Sequence, residues 1–506
     1  MKQRRAFIGC VEERGASCVV DALRRLSTSD EVILNAPIEY RHLKRLLPRS
    51  TRRSRRINWI QKNLRALRVL RGEYLSTSRI AALYVLLLLT GFPIVASAAQ
   101  YPSMQELVDA VEEGGTLIPP PGIYAGPVVI DKPMTIDGSH KVTIDAGGKG
   151  TVVLLDTDGA TLKNLHLTNS GESHNDLDSG VQVRGKFNVV KDNLIDDCLF
   201  GVDLQQSEHN IVRRNRISSK TSFGLGQRGD SVRMWYSFHN KITDNIITDS
   251  RDMVVWYSAD NTISRNSASG SRYSLHFMYS RYNKVEENRY FNNAVGIFLM
   301  YSDGIELRNN YIAHAAGATG IGIGFKETSD LILEGNQILY CASGLYIDVS
   351  PFQPDTTNRF TDNLIAYNGI GIRFLNDWTG NVFKRNQFIG NLTQIIVSGG
   401  KTANRNEWEG NYWSDYEGFD LDKDGVGDKP YELYSYADRI WRDLPYAQFF
   451  KGSPILETLD FLERLAPFTK PDLLVRDKKP LKQKFQVQKK VQKKRDALQL
   501  LLDAQG

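Results

Sequence analysis

The sequence predicts an all-β protein: a right-handed parallel β-helix (solenoid) with a capping helix at its amino-terminal end and a short helical segment near its carboxyl end. The phrase Asn-x-(Val/Ile)-x-x-Asn, or a near relative, recurs through the middle of the chain, and its last asparagines lie 21 to 30 residues apart. This period is too short for repeats of helix pairs, and the leucine-rich pattern is missing. Three short strands per coil, joined by turns, fit it. The last asparagines of the phrases are Asn193, Asn215, Asn245, Asn266, Asn288, Asn310, Asn336, Asn363, Asn386 and Asn411.

Amphipathic stretches mark both ends of the predicted solenoid. Residues 103–113 predict a helix with Ser103 as its N-cap, which would cover the open edge of the first coil. Residues 454–465 predict a second helix. The resulting organisation is an amino-terminal extension with a signal peptide (1–99), a capping segment (100–121), the parallel β-helix (122–415), an Asp-rich loop with a carboxyl-terminal segment (416–475), and a basic tail (476–506).

The net charge of +6 is unevenly distributed. Residues 1–99 hold 19 basic and 7 acidic side chains, and residues 476–495 hold ten Lys or Arg and one Asp. The body between them, residues 100–475, has 35 basic against 48 acidic side chains and is anionic. A groove that follows nucleic-acid phosphates is therefore not expected. The basic tail predicts a solvated helix or a disordered segment, with a docking element for a membrane or partner as the alternative.

The amino-terminal region has the pattern of a targeting signal. Residues 80–99 form an apolar run that follows several arginines and ends in Ala96-Ser97-Ala98, an A-x-A cleavage pattern. We expect a periplasmic protein exported by a cleaved signal peptide. Because 79 residues precede the run, we suspect a start codon further downstream, between Leu64 and Leu75. The alternative is a membrane anchor with a basic cytoplasmic domain.

Cysteine usage predicts no disulfide bond. Cys10 and Cys18 fall in the segment expected to be lost on export. Cys198 and Cys341 each follow a repeat asparagine by five residues, so they occupy the same position on coils that lie far apart. At about 4.8 Å per coil this distance exceeds disulfide reach. We expect both to be buried ladder residues.

One strand can be followed from coil to coil because Tyr-Ser pairs mark its end. Alternation along this strand separates an inner apolar row from an outer row. The outer row is rich in large apolar side chains, and such an exposed stripe indicates a binding surface. Its members, coil by coil, are Asp203 and Gln205, Arg233 and Trp235, Val254 and Trp256, His276 and Met278, Phe298 and Met300, Gly322 and Gly324, and Tyr346 and Asp348.

Three residues of the outer row predict a copper site. Met278 and Met300 are stacked neighbours on adjacent coils, and His276 lies on the same face two residues from Met278. Thioether and imidazole donors together suit Cu(I). Protonation of His276 should weaken binding below an ordinary pKa of about 6.5. The alternative is an apolar docking patch that needs no metal.

A second candidate metal site follows the last coil. Asp420, Asp422, Asp424 and Asp428 occupy positions 1, 3, 5 and 9 of a loop with Gly at position 6, as in a calcium loop. Position 12 is a tyrosine, where a calcium loop has a bidentate Glu. Calcium binding and a plain Asp/Gly turn both remain open.

Several of these stretches together resemble the NosD family. The resemblance is carried by the coil phrases, Leu275-His276-Phe277-Met278-Tyr279-Ser280 with its echo Leu299-Met300-Tyr301-Ser302, and the close Gly410-Asn-Tyr-Trp-Ser-Asp-Tyr with the Asp-rich loop. It extends from about residue 101 to about residue 477. The long amino-terminal extension and the Lys-rich tail depart from the family pattern.

The resemblance implies a periplasmic copper-binding accessory protein, not an enzyme, that helps to build the copper-sulfide centre of nitrous oxide reductase. The implied partners are an ABC transporter, with ATPase and membrane subunits, a copper-supplying lipoprotein, and the reductase. The alternative is a β-helix uronate epimerase or polysaccharide lyase, for which Asp203, Arg233, Asp252 and His276 would be available. A passive structural or adhesive solenoid is a third alternative.

Overall fold

The computed structural model describes residues 101–317, 319–398, 402–435, 453–465 and 472–485. The chain divides into two units, residues 1–96 and 97–506, and the described residues all belong to the second. The predicted signal peptide, Cys10, Cys18 and most of the basic tail lie outside the described residues. None of the described helices combines the length and apolarity that a membrane crossing requires.

The described residues form a parallel β-solenoid of about 13 turns, as predicted. Each coil contributes one strand to a 12-stranded sheet, here called sheet 1, and two strands to a 24-stranded sheet, called sheet 2. The strands are short because each turn places a residue at positive φ, often Asn or Asp, which tolerate this conformation.

Sheet 1 carries the outer row. Its strands are β3 (Val128–Ile130), β5 (Val153–Leu155), β7 (Ser179–Val183), β10 (Phe200–Gln205), β13 (Val232–Trp235), β16 (Asp252–Trp256), β19 (Tyr273–Met278), β22 (Val295–Met300), β25 (Ile321–Lys326), β28 (Ser343–Asp348), β31 (Ile370–Phe374) and β34 (Thr393–Val397).

Sheet 2 wraps the other two sides of the solenoid. Its strands are β1 (Thr116–Leu117), β2 (Gly122–Ala125), β4 (Thr135–Asp145), β6 (Thr161–Thr168), β8 (Val189–Lys191), β9 (Leu194–Cys198), β11 (Ile211–Arg213), β12 (Arg216–Ser219), β14 (Lys241–Thr243), β15 (Ile246–Thr248), β17 (Thr262–Ser264), β18 (Ser267–Ser269), β20 (Lys284–Glu286), β21 (Arg289–Phe291), β23 (Glu306–Arg308), β24 (Tyr311–Ala313), β26 (Ile332–Glu334), β27 (Gln337–Leu339), β29 (Asn358–Thr361), β30 (Leu364–Ala366), β32 (Asn381–Lys384), β33 (Gln387–Ile389), β35 (Glu407–Glu409) and β36 (Tyr412–Trp413).

A short helix closes the amino-terminal end. Helix α1 (Met104–Asp109) begins after Ser103, whose Oγ accepts a hydrogen bond from the Glu106 amide at 3.4 Å, and it buries Met104. The helix is shorter than the predicted 103–113. Two acidic residues at positions 112 and 113 oppose the carboxyl-terminal end of the helix dipole, and Gly114 at φ 76° turns the chain away.

The carboxyl-terminal end is closed by a separate pair of strands. Strand β37 (Tyr431–Ser435) pairs antiparallel with β38 (Asp472–Asp477), and helix α2 (Pro454–Leu465) lies between them in sequence, over the residues predicted to be helical. Asp477 is buried and its Oδ2 accepts hydrogen bonds from the amide and the Nδ2 of Asn411, both at 2.9 Å. This carboxylate therefore completes the asparagine ladder at its last rung.

The repeated asparagines hold successive coils together. Asn245 Nδ2, for example, donates to Asn266 Oδ1 at 2.9 Å, and Asn266 Nδ2 donates to Asn288 Oδ1 at 3.0 Å. Each amide is buried and paired, so the ladder satisfies polar groups that would otherwise be costly.

The inner row of sheet 1 is core, as predicted. Leu275 and Phe277 are completely buried, and their neighbours in register are also apolar and buried. Cys198 and Cys341 are free and buried, and burial raises their thiol pKa values to about 12 and about 11. Both behave as the small core residues that the spacing predicts.

One register prediction is wrong. Phe298 pairs with Gly324 and Met300 pairs with Lys326, two residues later than the predicted pairs Phe298/Gly322 and Met300/Gly324. The prediction failed because the Tyr-Ser pair used for the alignment is replaced on this coil by Glu327-Thr328. The hydroxyl of Thr328 donates a hydrogen bond to Leu299 O at 3.2 Å, as the serine of the pair does on other coils. Met300 therefore has a lysine, not a glycine, as its neighbour.

Candidate metal centre

The candidate copper site is built on strand β19, which carries an irregularity. Val254 pairs with His276, but Asp252 pairs with Tyr273, so β19 has one residue more than β16 between these two rungs. Such a bulge changes which face a side chain points to. Alternation alone would place Tyr273 and His276 on opposite faces, yet their rings stack, with centroids 4.9 Å apart and planes 20° from parallel.

His276 is buried between aromatic rings. Its exposed fraction is 7%, with Tyr273 against its face and Trp256 perpendicular to it at a centroid distance of 6.1 Å. This corrects the expectation of a solvent-exposed stripe, because at this position the outer row is covered by its own large side chains. Trp235, Trp256, Phe298 and the two methionines are half-buried.

The structure brings His276 and Met300 together. Nε2 of His276 lies 3.3 Å from Sδ of Met300 on the next coil. Typical metal–nitrogen and metal–sulfur bonds are about 2.0 and 2.3 Å long, so both atoms can bind one ion at this separation. Met278, the third predicted ligand, is the direct neighbour of Met300 in the strand register.

The protonation state of His276 suits a metal ligand. Burial lowers its pKa to about 4; the Arg272 and Arg251 cations act in the same direction, and Asp252 opposes them. The imidazole is therefore neutral near pH 7. Its pKa is lower than the ordinary value of about 6.5 assumed from the sequence. Among the described residues, neither His276 Nδ1 nor Trp256 Nε1 has a hydrogen-bond partner, although both atoms are buried.

The two carboxylates available for an epimerase or lyase are both paired with arginines. Asp203 is completely buried and accepts hydrogen bonds from Arg233 at 2.9 Å and from Gln205 at 2.8 Å. Asp252 is buried and paired with Arg272. Neither carboxylate is accessible to remove a proton from a polysaccharide, and both nearby guanidinium groups are already neutralised.

The Asp-rich loop forms a separate oxygen cluster. Asp420, Asp422 and Asp424 each present a carboxylate oxygen within 4.8 Å of the others, while Asp428 Oδ2 accepts the Leu421 amide at 2.8 Å. Asp420 Oδ1 is buried without a hydrogen-bond partner among the described residues.

Position 12 of this loop does not take part in the cluster. Tyr431 is buried and stacks on Trp413 at a centroid distance of 4.3 Å, so it belongs to the core at the carboxyl-terminal end. A bidentate ligand at this position is therefore absent.

Two family models match parts of this chain. Residues 220–418, which include all three candidate copper ligands, match the family described as "Periplasmic copper-binding protein (NosD)". Residues 137–249 match the family described as "Right handed beta helix region". The first match confirms the resemblance seen in the sequence, and the second agrees with the predicted handedness.

Two curated relatives share most of their length with this chain. A Pseudomonas aeruginosa protein named "Probable ABC transporter binding protein NosD" is 29% identical over 71% of this chain and 86% of its own length. A Stutzerimonas stutzeri protein of the same name is 25% identical over 69% of this chain and 83% of its own length. These names describe a binding protein, in agreement with the prediction of an accessory protein instead of an enzyme.

Similar solved structures are carbohydrate-active β-helices. The A-module of Azotobacter vinelandii mannuronan C-5 epimerase AlgE6 has 15% sequence identity and a TM-score of 0.46, covering 58% of this chain and 90% of its own. A mannuronic acid-specific family 6 lyase from human gut microbiota has 14% identity and a TM-score of 0.45, covering 62% and 86%. At these low values the likeness does not bear on activity.

Proposed function

We propose that this chain handles Cu(I) during maturation of the copper-sulfide centre of nitrous oxide reductase, a function supported by the match of residues 220–418 to the family described as "Periplasmic copper-binding protein (NosD)". The proposed ligands are His276, Met278 and Met300. The observation that carries the proposal is the 3.3 Å approach of His276 Nε2 to Met300 Sδ within the family-matched region. Neutral nitrogen and thioether donors are the ligands that Cu(I) prefers over hard oxygen donors.

The site has features of a transfer site. Its histidine is buried, but both methionines remain partly exposed on the outer row. A partner's soft ligand could therefore approach the ion from the methionine side and take it by ligand exchange. All three proposed ligands are neutral, so release of Cu(I) would leave no uncompensated negative charge in the site.

The proposed partners are an ABC transporter with ATPase and membrane subunits, a copper-supplying lipoprotein, and nitrous oxide reductase. The names of the two relatives support an association with a transporter. The half-buried aromatic residues beside the methionines, Trp235, Trp256 and Phe298, supply an apolar surface on which a partner can dock. No nucleic-acid partner is proposed.

Two double variants separate copper binding from docking. Met278→Leu/Met300→Leu removes both sulfur atoms but keeps apolar side chains of similar size, whereas Met278→Ala/Met300→Ala removes both features. We expect copper-deficient reductase when either variant replaces the wild type in cells. Copper-replete reductase with the Leu variant and copper-deficient reductase with the Ala variant would show that the surface only docks a partner.

For the Asp-rich loop we propose calcium. The specific observation in favour is the buried and unpartnered Oδ1 of Asp420 beside the carboxylates of Asp422 and Asp424. Calcium takes oxygen ligands of this kind. The Lys482 amide donates a hydrogen bond to Gly425 O of this loop at 2.9 Å. Bound calcium would therefore stabilise the carboxyl-terminal end of the solenoid and would have no part in copper binding.

We further propose export with cleavage near Ala98, at the end of the Ala96-Ser97-Ala98 pattern. Amino-terminal sequencing of protein from the periplasmic fraction should then begin at Ala99 or Gln100. Recovery of the uncleaved chain in the membrane fraction would favour the anchor alternative.

A further inference from the structure

We propose that Tyr273 is a positioning residue for the copper site: its ring fixes the imidazole of His276 so that Nε2 faces Met300. This inference rests on the proposed copper function. Tyr273 stacks on the histidine ring and is not itself a proposed ligand, so its role would be to orient a ligand.

The orientation of His276 needs an explanation because its second nitrogen makes no hydrogen bond. A metal-binding histidine usually donates its other ring N–H to a carboxylate, a carbonyl or water, and this bond fixes the ring. In the described part of the chain Nδ1 of His276 has no such partner, even though the atom is buried. Another contact must therefore hold the ring plane.

The stack on Tyr273 provides that contact. The two rings lie 4.9 Å apart and 20° from parallel, and tilting the imidazole out of this plane by a partial rotation about χ2 would break the stack. Trp256 meets the imidazole at an interplanar angle of 89° and limits its movement from another side. The plane of the imidazole that carries Nε2 towards Met300 is thus held by ring packing.

Tyr273 is in turn held by charged neighbours. The Arg272 guanidinium lies over the Tyr273 ring, 4.9 Å from its centroid. Asp252, which is buried, accepts the Tyr273 amide at 3.1 Å and Arg272 Nε at 3.0 Å. One buried carboxylate therefore holds both the guanidinium that lies over the Tyr273 ring and the backbone of Tyr273.

The bulge in β19 is what makes this stack possible. The additional residue between the rungs at Tyr273 and His276 brings both side chains to the outer side of sheet 1. Bulges occur next to functional sites, where they redirect a side chain. The bulge would therefore serve the copper site by placing Tyr273 against His276.

The first test compares Cu(I) affinities by competition with a chromogenic chelator under anaerobic conditions. Tyr273→Ala and Tyr273→Leu both remove the flat ring, and Leu keeps apolar volume in case the Ala variant folds poorly. Loss of an outer-shell partner typically weakens metal binding about 10- to 100-fold, and we expect a loss in this range for Tyr273→Leu. Tyr273→Phe keeps the stack and should bind within about threefold of wild type.

Tyr340 provides a matched control. It also stacks on a histidine, His314, with centroids 5.0 Å apart, but it lies outside the copper site. Tyr340→Leu should leave Cu(I) affinity unchanged. Equal affinities of wild type and Tyr273→Leu would overturn the positioning role, and an equal loss in Tyr340→Leu would assign the effect to general instability.

The second test needs no copper and separates this inference from the proposed function. In protein labelled at the methionine methyl groups, the copper-free wild type should show a nuclear Overhauser effect between the Met300 methyl and the His276 ring. We expect this signal to persist in Tyr273→Phe and to disappear in Tyr273→Leu. Its persistence in Tyr273→Leu would refute the inference. Failure of the wild type to bind Cu(I), with this signal pattern as expected, would refute only the copper function.

Discussion

The inward and outward side chains of strand β19 differ in what they contribute. Leu275 and Phe277 point into the solenoid, are completely buried and belong to its apolar core. His276 and Met278 point outward, and the histidine lies close to a sulfur atom of the next coil. The backbone ladder and the inner row maintain the fold, and the outer row of the same strand carries the donor atoms. Substitutions in the two rows should therefore affect different measurements.

The largest effect on stability is expected in the inner row. Phe277→Asp places an unpaired charge in the core and should lower the free energy of unfolding by several kcal/mol. Phe277→Leu is the control and should cost no more than about 1.5 kcal/mol. Denaturant unfolding followed by circular dichroism measures both. If Phe277→Asp unfolds at the same denaturant concentration as the wild type, Phe277 faces solvent and the assignment of inner and outer rows is reversed.

The asparagine ladder should behave like the inner row. Asn266→Ala leaves the amide and Nδ2 of Asn245 without their acceptor, and each buried group left unpaired costs about 1–3 kcal/mol. Cu(I) affinity should remain unchanged. Asn404, which is exposed, supplies the control, and Asn404→Ala should change stability by no more than about 0.5 kcal/mol. Equal unfolding midpoints of the two variants would contradict the role of the ladder.

The pH dependence of copper binding tests whether His276 of the outer row is buried. Protons and Cu(I) compete for His276 Nε2, so affinity falls as the pH drops through the histidine pKa. Because burial lowers this pKa to about 4, binding should be constant from pH 8 to about pH 5 and then weaken roughly tenfold per pH unit below about 4. Chelator competition across this range, with His314→Ala as control, tests it. A decline that starts near pH 6.5 would indicate a solvated histidine, as assumed from the sequence.

The smallest effect is expected in the Asp-rich loop, which belongs to neither row. Calcium should raise the melting temperature of the wild type by a few degrees, as a weakly bound ligand does through mass action. Asp420→Asn/Asp424→Asn should abolish this increase and leave Cu(I) affinity intact. If the wild type melts at the same temperature in calcium and in chelator, the loop is a plain Asp/Gly turn that binds no calcium.

The sequence was sufficient to predict the solenoid because its signals repeat. Asn245, Asn266 and Asn288 recur at nearly constant spacing and bond to one another as expected. The alternation that assigns Phe277 to the core is equally regular. A single misjudged residue would not have changed these conclusions, since ten coils report the same pattern.

The candidate site was only partly predictable because it depends on local exceptions to the repeat. Alternation correctly brought His276, Met278 and Met300 to one face, but it assigned Gly324 to the place that Lys326 occupies, since the Tyr-Ser marker is missing on that coil. Tyr273 was not predicted at all. Its contact with His276 depends on a bulge, and no periodic signal in the sequence reveals one. The burial and low pKa of His276 follow from that contact and were missed with it.

X-ray absorption of the Cu(I)-loaded chain tests the central claim most directly. Nitrogen and sulfur scatter differently, and typical bonds of about 2.0 Å to nitrogen and about 2.3 Å to sulfur are well separated. The wild type should show one nitrogen and two sulfur neighbours, and Met278→Leu/Met300→Leu should lose the sulfur shell while its unfolding midpoint stays close to that of the wild type. An unchanged sulfur shell in this variant, or a wild-type spectrum with nitrogen and oxygen neighbours alone, would contradict copper binding by the outer row.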